Sequence, residues 1–428
     1  MLVRVAIPVA VLSASGNKLP GLPRYEYAGL TGDATGFYAA TREFIAAWGR
    51  LGPLVVVALA AATAVAAAAL VLAWQRRALA RHWLLVLGAL WFALVVSAAV
   101  VKMHPPGAAV FGWPLIWSLP MLPYRALGGP LDPDIAFGFG VVLSLTANAV
   151  TVVATAYAGF YATGRRALGT AAASIFSLWP LLVGVLGGSR AWGNGTWTVD
   201  AGLANYTEPV STALVTVAMA LLLSTRATGL WLAAAGVLLG LGTAVKLTNG
   251  LLAAVALALL AYRVGSRRAL PFAAGALSFA PLVAAYWPKG YSAQFENPNS
   301  WPRHPFSADY VVRNWTDSLL FTPRTLLVLT PLAIVGAVAV RAGWPRALLA
   351  VWALVNAVFY SFYRVTPEHP RFLFASLPAV FVLWVAGVAA VVSLSRDGRR
   401  RPTRRRRSGD IHGGRNRVRA RAQRASGR

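Results

Sequence analysis

The chain has no cysteine among its 428 residues, which excludes disulfides, thiolate catalysis and cysteine metal sites. It is also poor in charge. Asp, Glu, Lys and Arg make up 12% of it, where a soluble domain carries roughly a quarter. Histidine is scarce, with five in all, and no two have the helical spacing of a metal-ligating pair. Acidic residues are scarcest for the length: 13, against 40 Lys and Arg. No stretch reads as a cleavable secretory leader with a small-residue cleavage site. What fills the chain instead is apolar. Hydrophobic residues reach 57% and the mean hydropathy is +0.60. Long apolar runs with so little charge exclude a soluble globular domain and call for a bilayer as solvent.

The net charge of +27 would point to nucleic acid in a soluble protein. Its distribution excludes that partner. Residues 396–428 hold 14 Arg and 2 Asp, and many of the other cations sit in short loops between apolar runs. That is the pattern of membrane orientation and of contact with anionic lipid headgroups.

Apolar spans fall at 2–14, 53–74, 83–101, 134–157, 169–187, 209–225, 228–244, 247–262, 269–286, 324–340, 347–363 and 371–394. They predict an all-α polytopic membrane protein with about 12 transmembrane helices (roughly 11–13). The first span is the shortest. Interrupted by Arg4 and Pro8, it reaches only about 20 Å at 1.5 Å per residue.

Placing 15–52 outside and alternating puts Arg76, Arg77 and Arg81, Arg165 and Arg166, Arg226, Arg263, Arg267 and Arg268, and Arg341 and Arg346 on the inside. Every inside loop is then short and basic, as orientation requires. Only Asp397 and Asp410 of the acidic residues fall inside. The sequence therefore predicts a multi-pass cell-membrane protein with a transmembrane domain over 1–394. An Arg-rich cytoplasmic tail over 395–428 is predicted to be disordered and to bind anionic lipid. The outer segments 15–52, 102–133, 188–208 and 287–323 are long and rich in Trp, Tyr, Pro and Gly. Two readings stand beside each other. The aromatics can form an interfacial belt, or they can line a substrate surface that faces away from the cytoplasm, where indole faces suit sugar rings.

Four places carry groups suited to chemistry. The first outer segment has Asp33 ahead of an amphipathic stretch, with Tyr38, Arg42 and Glu43 about one turn apart. Asp33 either caps that helix or serves as a general base at the membrane surface. Glu208 opens the sixth span, with Pro209 after it and Asp200 eight residues before; it is a solvated carboxylate at a helix start or a ligand-binding group. Lys246 interrupts a long apolar run, where an ionisable group is by default functional, although snorkelling to the interface is the simpler alternative. Glu368, His369 and Arg371 lie at the outer start of the last span, and a guanidinium there suits phosphate.

Four segments carry a resemblance: GDATGFYAATREF, TEPVSTALVTVAMALLL, AGVLLGLGTAVKLTNG and RFLFASLPAVFVL. In order and spacing the chain resembles the GT-C superfamily of membrane glycosyltransferases, in the branch of protein O-mannosyltransferases, aminoarabinose transferases and RgtA-like transferases. The resemblance covers most of 1–394. It implies a transferase that takes a sugar from a polyprenyl-phosphate donor on the outer leaflet and passes it to an envelope glycan, lipid or protein acceptor. It makes Asp33 the catalytic base and Glu208 the acidic residue at the middle-helix mouth. The sequence departs from the branch where Ala34 replaces the second acid of a common Asp-Glu pair.

On that footing Lys246, Arg371 or both hold the donor phosphate. Asp200, Tyr38, Arg42 and His369 complete the binding residues, and Asp33 takes the acceptor's proton in an inverting displacement. No metal is required; a divalent ion on Asp33 and Glu208 is compatible with carboxylate chemistry. The competing function is a secondary transporter of a polar or lipid-linked solute. It expects ionisable groups near the midplane and inverted repeats, whereas the carboxylates here collect in outer segments and no repeat is visible.

Overall fold

The computed structural model describes residues 4–7, 9–10, 33–50, 112–193, 202–203, 206–224, 229–286, 306–314, 323–363 and 370–400. The predicted spans 53–74 and 83–101, and the tail beyond 400, lie outside them. The described residues form helices in this order: α1 (Asp33–Arg50), α2 (Gly112–Ala126), α3 (Pro133–Thr163), α4 (Arg166–Gly193), α5 (Glu208–Leu223), α6 (Gly229–Val245), α7 (Asn249–Val264), α8 (Ser266–Leu277), α9 (Ala280–Tyr286), α10 (Tyr310–Arg313), α11 (Pro323–Ala339), α12 (Trp344–Ser361), a 3-10 turn (Pro370–Ser376) and α13 (Leu377–Arg400). Their one strand-like feature is an isolated antiparallel bridge between Phe306 and Tyr363. The stretches Pro133–Thr163 and Phe372–Arg396 are long and apolar enough to cross a membrane, and Glu208–Leu223, Gly229–Val245 and Asn249–Val264 are shorter apolar helices.

The ends of α3 show how the sequence sets an element. Asp132 precedes it in extended conformation, its carboxylate accepts from the Asp134 N–H at 2.8 Å, and Pro133 fills the first helical position, where a missing N–H costs nothing. The helix then runs 31 residues, about 46 Å at 1.5 Å per residue, longer than the hydrocarbon core. It stops at Gly164, whose φ of 75° is left-handed and whose N–H donates to the Phe160 carbonyl. The predicted span ended at 157; the apolar Ala/Gly/Phe/Tyr run carries the helix six residues further, to the glycine that stops it.

Two other expectations are corrected. The segment 102–133, predicted as an outer loop, is not simply a connecting loop, because 112–126 is helical despite Pro120 and Pro123. Its Trp113 and Trp117 are fully buried and stack at 5.4 Å, so neither offers a free face to a sugar. The predicted span 269–286 divides into α8 and α9 around Ser278 and Phe279.

Close helix approach comes from small residues. A Cβ on Gly236 of α6 would stand 2.1 Å from the Phe272 carbonyl oxygen of α8, and one on Gly240 would stand 2.4 Å from that of Ala276. Backbones this close gain dispersion and carbonyl contacts that a larger side chain would abolish. Gly236→Val is therefore expected to destabilise by about 1–3 kcal/mol or more through overpacking. Gly138→Val, where nothing lies within 4 Å of the added carbon, should stay within about 0.5 kcal/mol. Thermal unfolding of the two purified variants in one detergent compares them, and equal midpoints would refute the close-packing account.

The basic turns gather at one end of the bundle. The Arg341 N–H donates to the Ala162 carbonyl at 3.3 Å, Arg263 lies over the Trp344 ring at 4.8 Å, and the Trp344 indole donates to the Leu222 carbonyl at 2.7 Å. Arg165, Arg166, Arg267, Arg268 and Arg346 lie on the turns so joined. Asp132, Asp134 and Glu208 sit at the opposite ends of α3 and α5.

Candidate functional site

The site forms where α5 begins and α6 ends. These neighbours are antiparallel, so the start of one meets the finish of the other. Glu208 is in the first turn of α5, with Pro209 beside it. Lys246 directly follows the last residue of α6, and its N–H donates to the Gly242 carbonyl at 2.9 Å. A carboxylate at a helix N-terminus and an ammonium at a C-terminus each face the favourable end of the helix dipole. The two side chains meet as an ion pair at 3.1 Å, with 4% of the glutamate and 13% of the lysine side chain exposed. The second carboxylate oxygen accepts from the Thr207 hydroxyl at 3.3 Å. Two candidate residues 38 positions apart are thus partners.

Aromatic rings close over the lysine. The Phe372 ring centre is 5.1 Å from its ammonium nitrogen, which is cation–π distance. Tyr360 stacks on Phe372 at 4.7 Å, and its hydroxyl donates to the Thr248 hydroxyl at 3.2 Å. Residues 306–314 are tied to the same place. Buried Asn314 donates through its amide to the carbonyls of Tyr360, Ser361 and Tyr363, which satisfies free carbonyls at the end of α12. Ser307 N–H donates to the Phe362 carbonyl at 2.9 Å.

The helix that Asp33 opens packs against this end. Phe37, Tyr38 and Ile45 of α1 share one cluster with Trp113, Trp117, Val210, Ala213 and Val245. Val210 is two residues from Glu208, and Val245 adjoins Lys246. Tyr38 is buried, its hydroxyl donates to the Leu131 carbonyl at 3.3 Å, and exposed Arg42 lies 5.8 Å from its ring. Burial pushes the Tyr38 hydroxyl above its usual range; the Arg42 guanidinium works against this, and the Asp132 carboxylate adds to it. Asp33 is described as the first residue of α1. Arg371 is placed through its backbone, in the 3-10 turn beside Phe372. Asp200 and His369 lie outside the described residues. Among the described residues, no group of three or more His, Asp or Glu is arranged to hold a metal ion.

A cavity of about 490 Å³ lies among α6, α7, α8 and α9. Thr243 contributes the one polar side chain to a wall of Gly240, Gly250, Ala253, Leu257, Phe272 and similar small or apolar residues. The Thr243 hydroxyl is turned back to the Leu239 carbonyl at 2.8 Å, so the wall is apolar throughout. Thr243 and Gly250 stand on either side of Lys246 in the chain, each within about one helical turn.

Sequence reasoning found Glu208 and Lys246 but missed Phe372, Tyr360, Asn314 and Asn249. Tyr360, Phe372 and Asn249 fall inside the predicted apolar spans 347–363, 371–394 and 247–262, and Asn314 falls in the segment 287–323. No local signal distinguishes them.

No family model matches the chain, and no curated protein sequence matches it. Two solved structures are similar to it. One is ArnT from Cupriavidus metallidurans in the apo state, 19% identical with a TM-score of 0.40, covering 67% of this chain and 51% of that one. The other is ArnT from the same organism bound to undecaprenyl phosphate, 17% identical with a TM-score of 0.39, covering 65% and 49%. The chain spans about half the length of the solved chains it matches.

Proposed function

We propose that the chain is an integral membrane glycosyltransferase. It moves a sugar from a polyprenyl-phosphate donor to an acceptor hydroxyl on the extracytoplasmic face. The observation that carries this reading is the Glu208–Lys246 pair, set at two helix ends and flanked along the chain by residues of an apolar cavity. A donor of this class needs both features. Its phosphate calls for a cation in a sheltered place, and its isoprenoid chain calls for an apolar wall.

In the reaction, Asp33 accepts the proton of the acceptor hydroxyl as the oxygen attacks the anomeric carbon. The bond from that carbon to the phosphate oxygen breaks, and polyprenyl phosphate leaves with the electron pair. Lys246 and Arg371 stabilise its charge. Binding the phosphate requires Lys246 to exchange Glu208 for the ligand, wholly or in part. Glu208 holds the ammonium in position until then. The aromatic rings around Phe372 exclude water from the exchange, which strengthens every charge interaction there.

The test is binding of a polyprenyl phosphate to the purified protein in detergent. The parent should bind it, and Lys246→Gln should weaken binding by about 10- to 100-fold, the worth of one charge-assisted hydrogen bond. A parent protein that binds no polyprenyl phosphate, or a variant that binds as tightly as the parent, would remove this reading.

A further inference from the structure

The ion pair is accompanied by a second cross-link one helical turn deeper. Asn249 is fully buried. Its amide nitrogen donates to the Ser211 hydroxyl at 2.8 Å and to the Gly242 carbonyl at 2.9 Å. Ser211 lies three residues after Glu208, and Asn249 three residues after Lys246. The two links therefore join the same pair of segments with the same offset along the chain. Gly242 is also the residue whose carbonyl accepts the Lys246 N–H. One amide thus touches the carbonyl that anchors the lysine's own backbone and the helix that carries the carboxylate.

An asparagine at the start of a helix ordinarily caps it by accepting from N–H groups ahead. Asn249 uses its side chain differently. Both of its amide bonds run back to α6 and across to α5, and its carbonyl oxygen is buried with no hydrogen-bond partner among the described residues. A buried acceptor left without a partner carries a penalty, so stability of the turn alone does not account for the arrangement. Fixing the geometry of the pair does. We infer that Asn249 is a positioning residue for the Glu208–Lys246 pair, an amide clamp that holds the lysine's turn in register against α5.

The inference rests on the pair being the working part of the site, but its test needs no transfer reaction. The full chain in detergent is treated with an amine-acylating reagent at fixed pH. Acylation of Lys246 is followed by peptide mass spectrometry, with Lys18, Lys102 and Lys289 as internal references. Glu208→Gln removes the carboxylate from the ammonium and should raise the Lys246 rate by about tenfold, the worth of one charge-assisted hydrogen bond. Asn249→Ala should raise it to a similar extent while the three reference lysines stay at their parent rates. Ser211→Ala, which removes one of the two acceptors, should give a smaller rise, and Ser211→Thr, which keeps the hydroxyl, should restore the parent rate.

A rise confined to Lys246 supports the clamp, whereas an equal rise at all four lysines means general loosening and overturns it. So does an Asn249→Ala protein whose Lys246 reacts at the parent rate. If Asn249→Ala fails to fold, the Ser211 variants decide: equal rates for Ser211→Ala and Ser211→Thr overturn the proposal. Expected acylation in a chain that transfers no sugar would keep the clamp and remove the transferase reading, so the two failures are distinguishable.

Discussion

Asp33→Asn is expected to insert normally and to transfer sugar on the order of 10²-fold more slowly than the parent, or slower still. Asn caps a helix about as well as Asp. The substitution removes the carboxylate's capacity to take a proton while leaving shape and capping intact. Asp33 is the first residue of α1, and a carboxylate in a helix's first turn is favoured by the helix dipole by about 0.3–1 kcal/mol. A purely structural Asp33 would therefore cost a little stability and almost no rate. The measurement is transfer of labelled sugar from a polyprenyl-phosphate donor in membranes, normalised to the amount of inserted protein. Transfer at the parent rate would eliminate Asp33 as the base and make Glu208 the next candidate.

The second large effect separates stability from function at the ion pair. Lys246→Met removes the cation from a Glu208 side chain that is 4% exposed in the parent, and should destabilise by about 3–5 kcal/mol. The double variant Glu208→Gln with Lys246→Met removes the buried charge as well and should recover most of that loss, because neutral replacement of a buried pair is often close to neutral in stability. Transfer should be abolished in both. Denaturant or thermal unfolding and the transfer assay, run on the same preparations, test this. A double variant that is both stable and fully active would show that the pair holds helices together and does no chemistry.

Much of the fold is legible in the sequence, because length and apolarity act on each segment separately. The spans predicted at 209–225, 228–244, 247–262, 324–340 and 347–363 lie within a few residues of α5, α6, α7, α11 and α12. Length and apolarity decide these, and a glycine or a charged turn marks the end. The reading errs where tertiary contacts override composition. The segment around WPLIWSLPMLPY looks like an aromatic loop broken by prolines. It is helical and buried because its two tryptophans pack against α1, and the Trp117 indole donates to the Ala136 carbonyl at 2.8 Å. The predicted span 269–286 is likewise divided around Ser278 and Phe279, with α8 packed closely on α6.

The site divides along the same line. The sequence by itself determined that an acid opens one apolar helix and that a lysine interrupts another apolar run. Both facts are local, since a charge in an apolar segment is costly wherever it lies and stands out against its neighbours. It also determined the segregation of arginines from carboxylates along the chain, which short loops display directly. Only the tertiary structure decided that Glu208 and Lys246 are partners, that Phe372 and Tyr360 close over the lysine, and that Asn249 ties the two segments together. Those contacts span 38 to 126 residues of sequence. They depend on which helix ends meet, and that follows from the packing of small-residue faces and the antiparallel order of α5 and α6. Composition and periodicity within a segment hold no information about a neighbour that distant, so the chemistry-bearing residues could be named from the sequence while their geometry had to come from the fold.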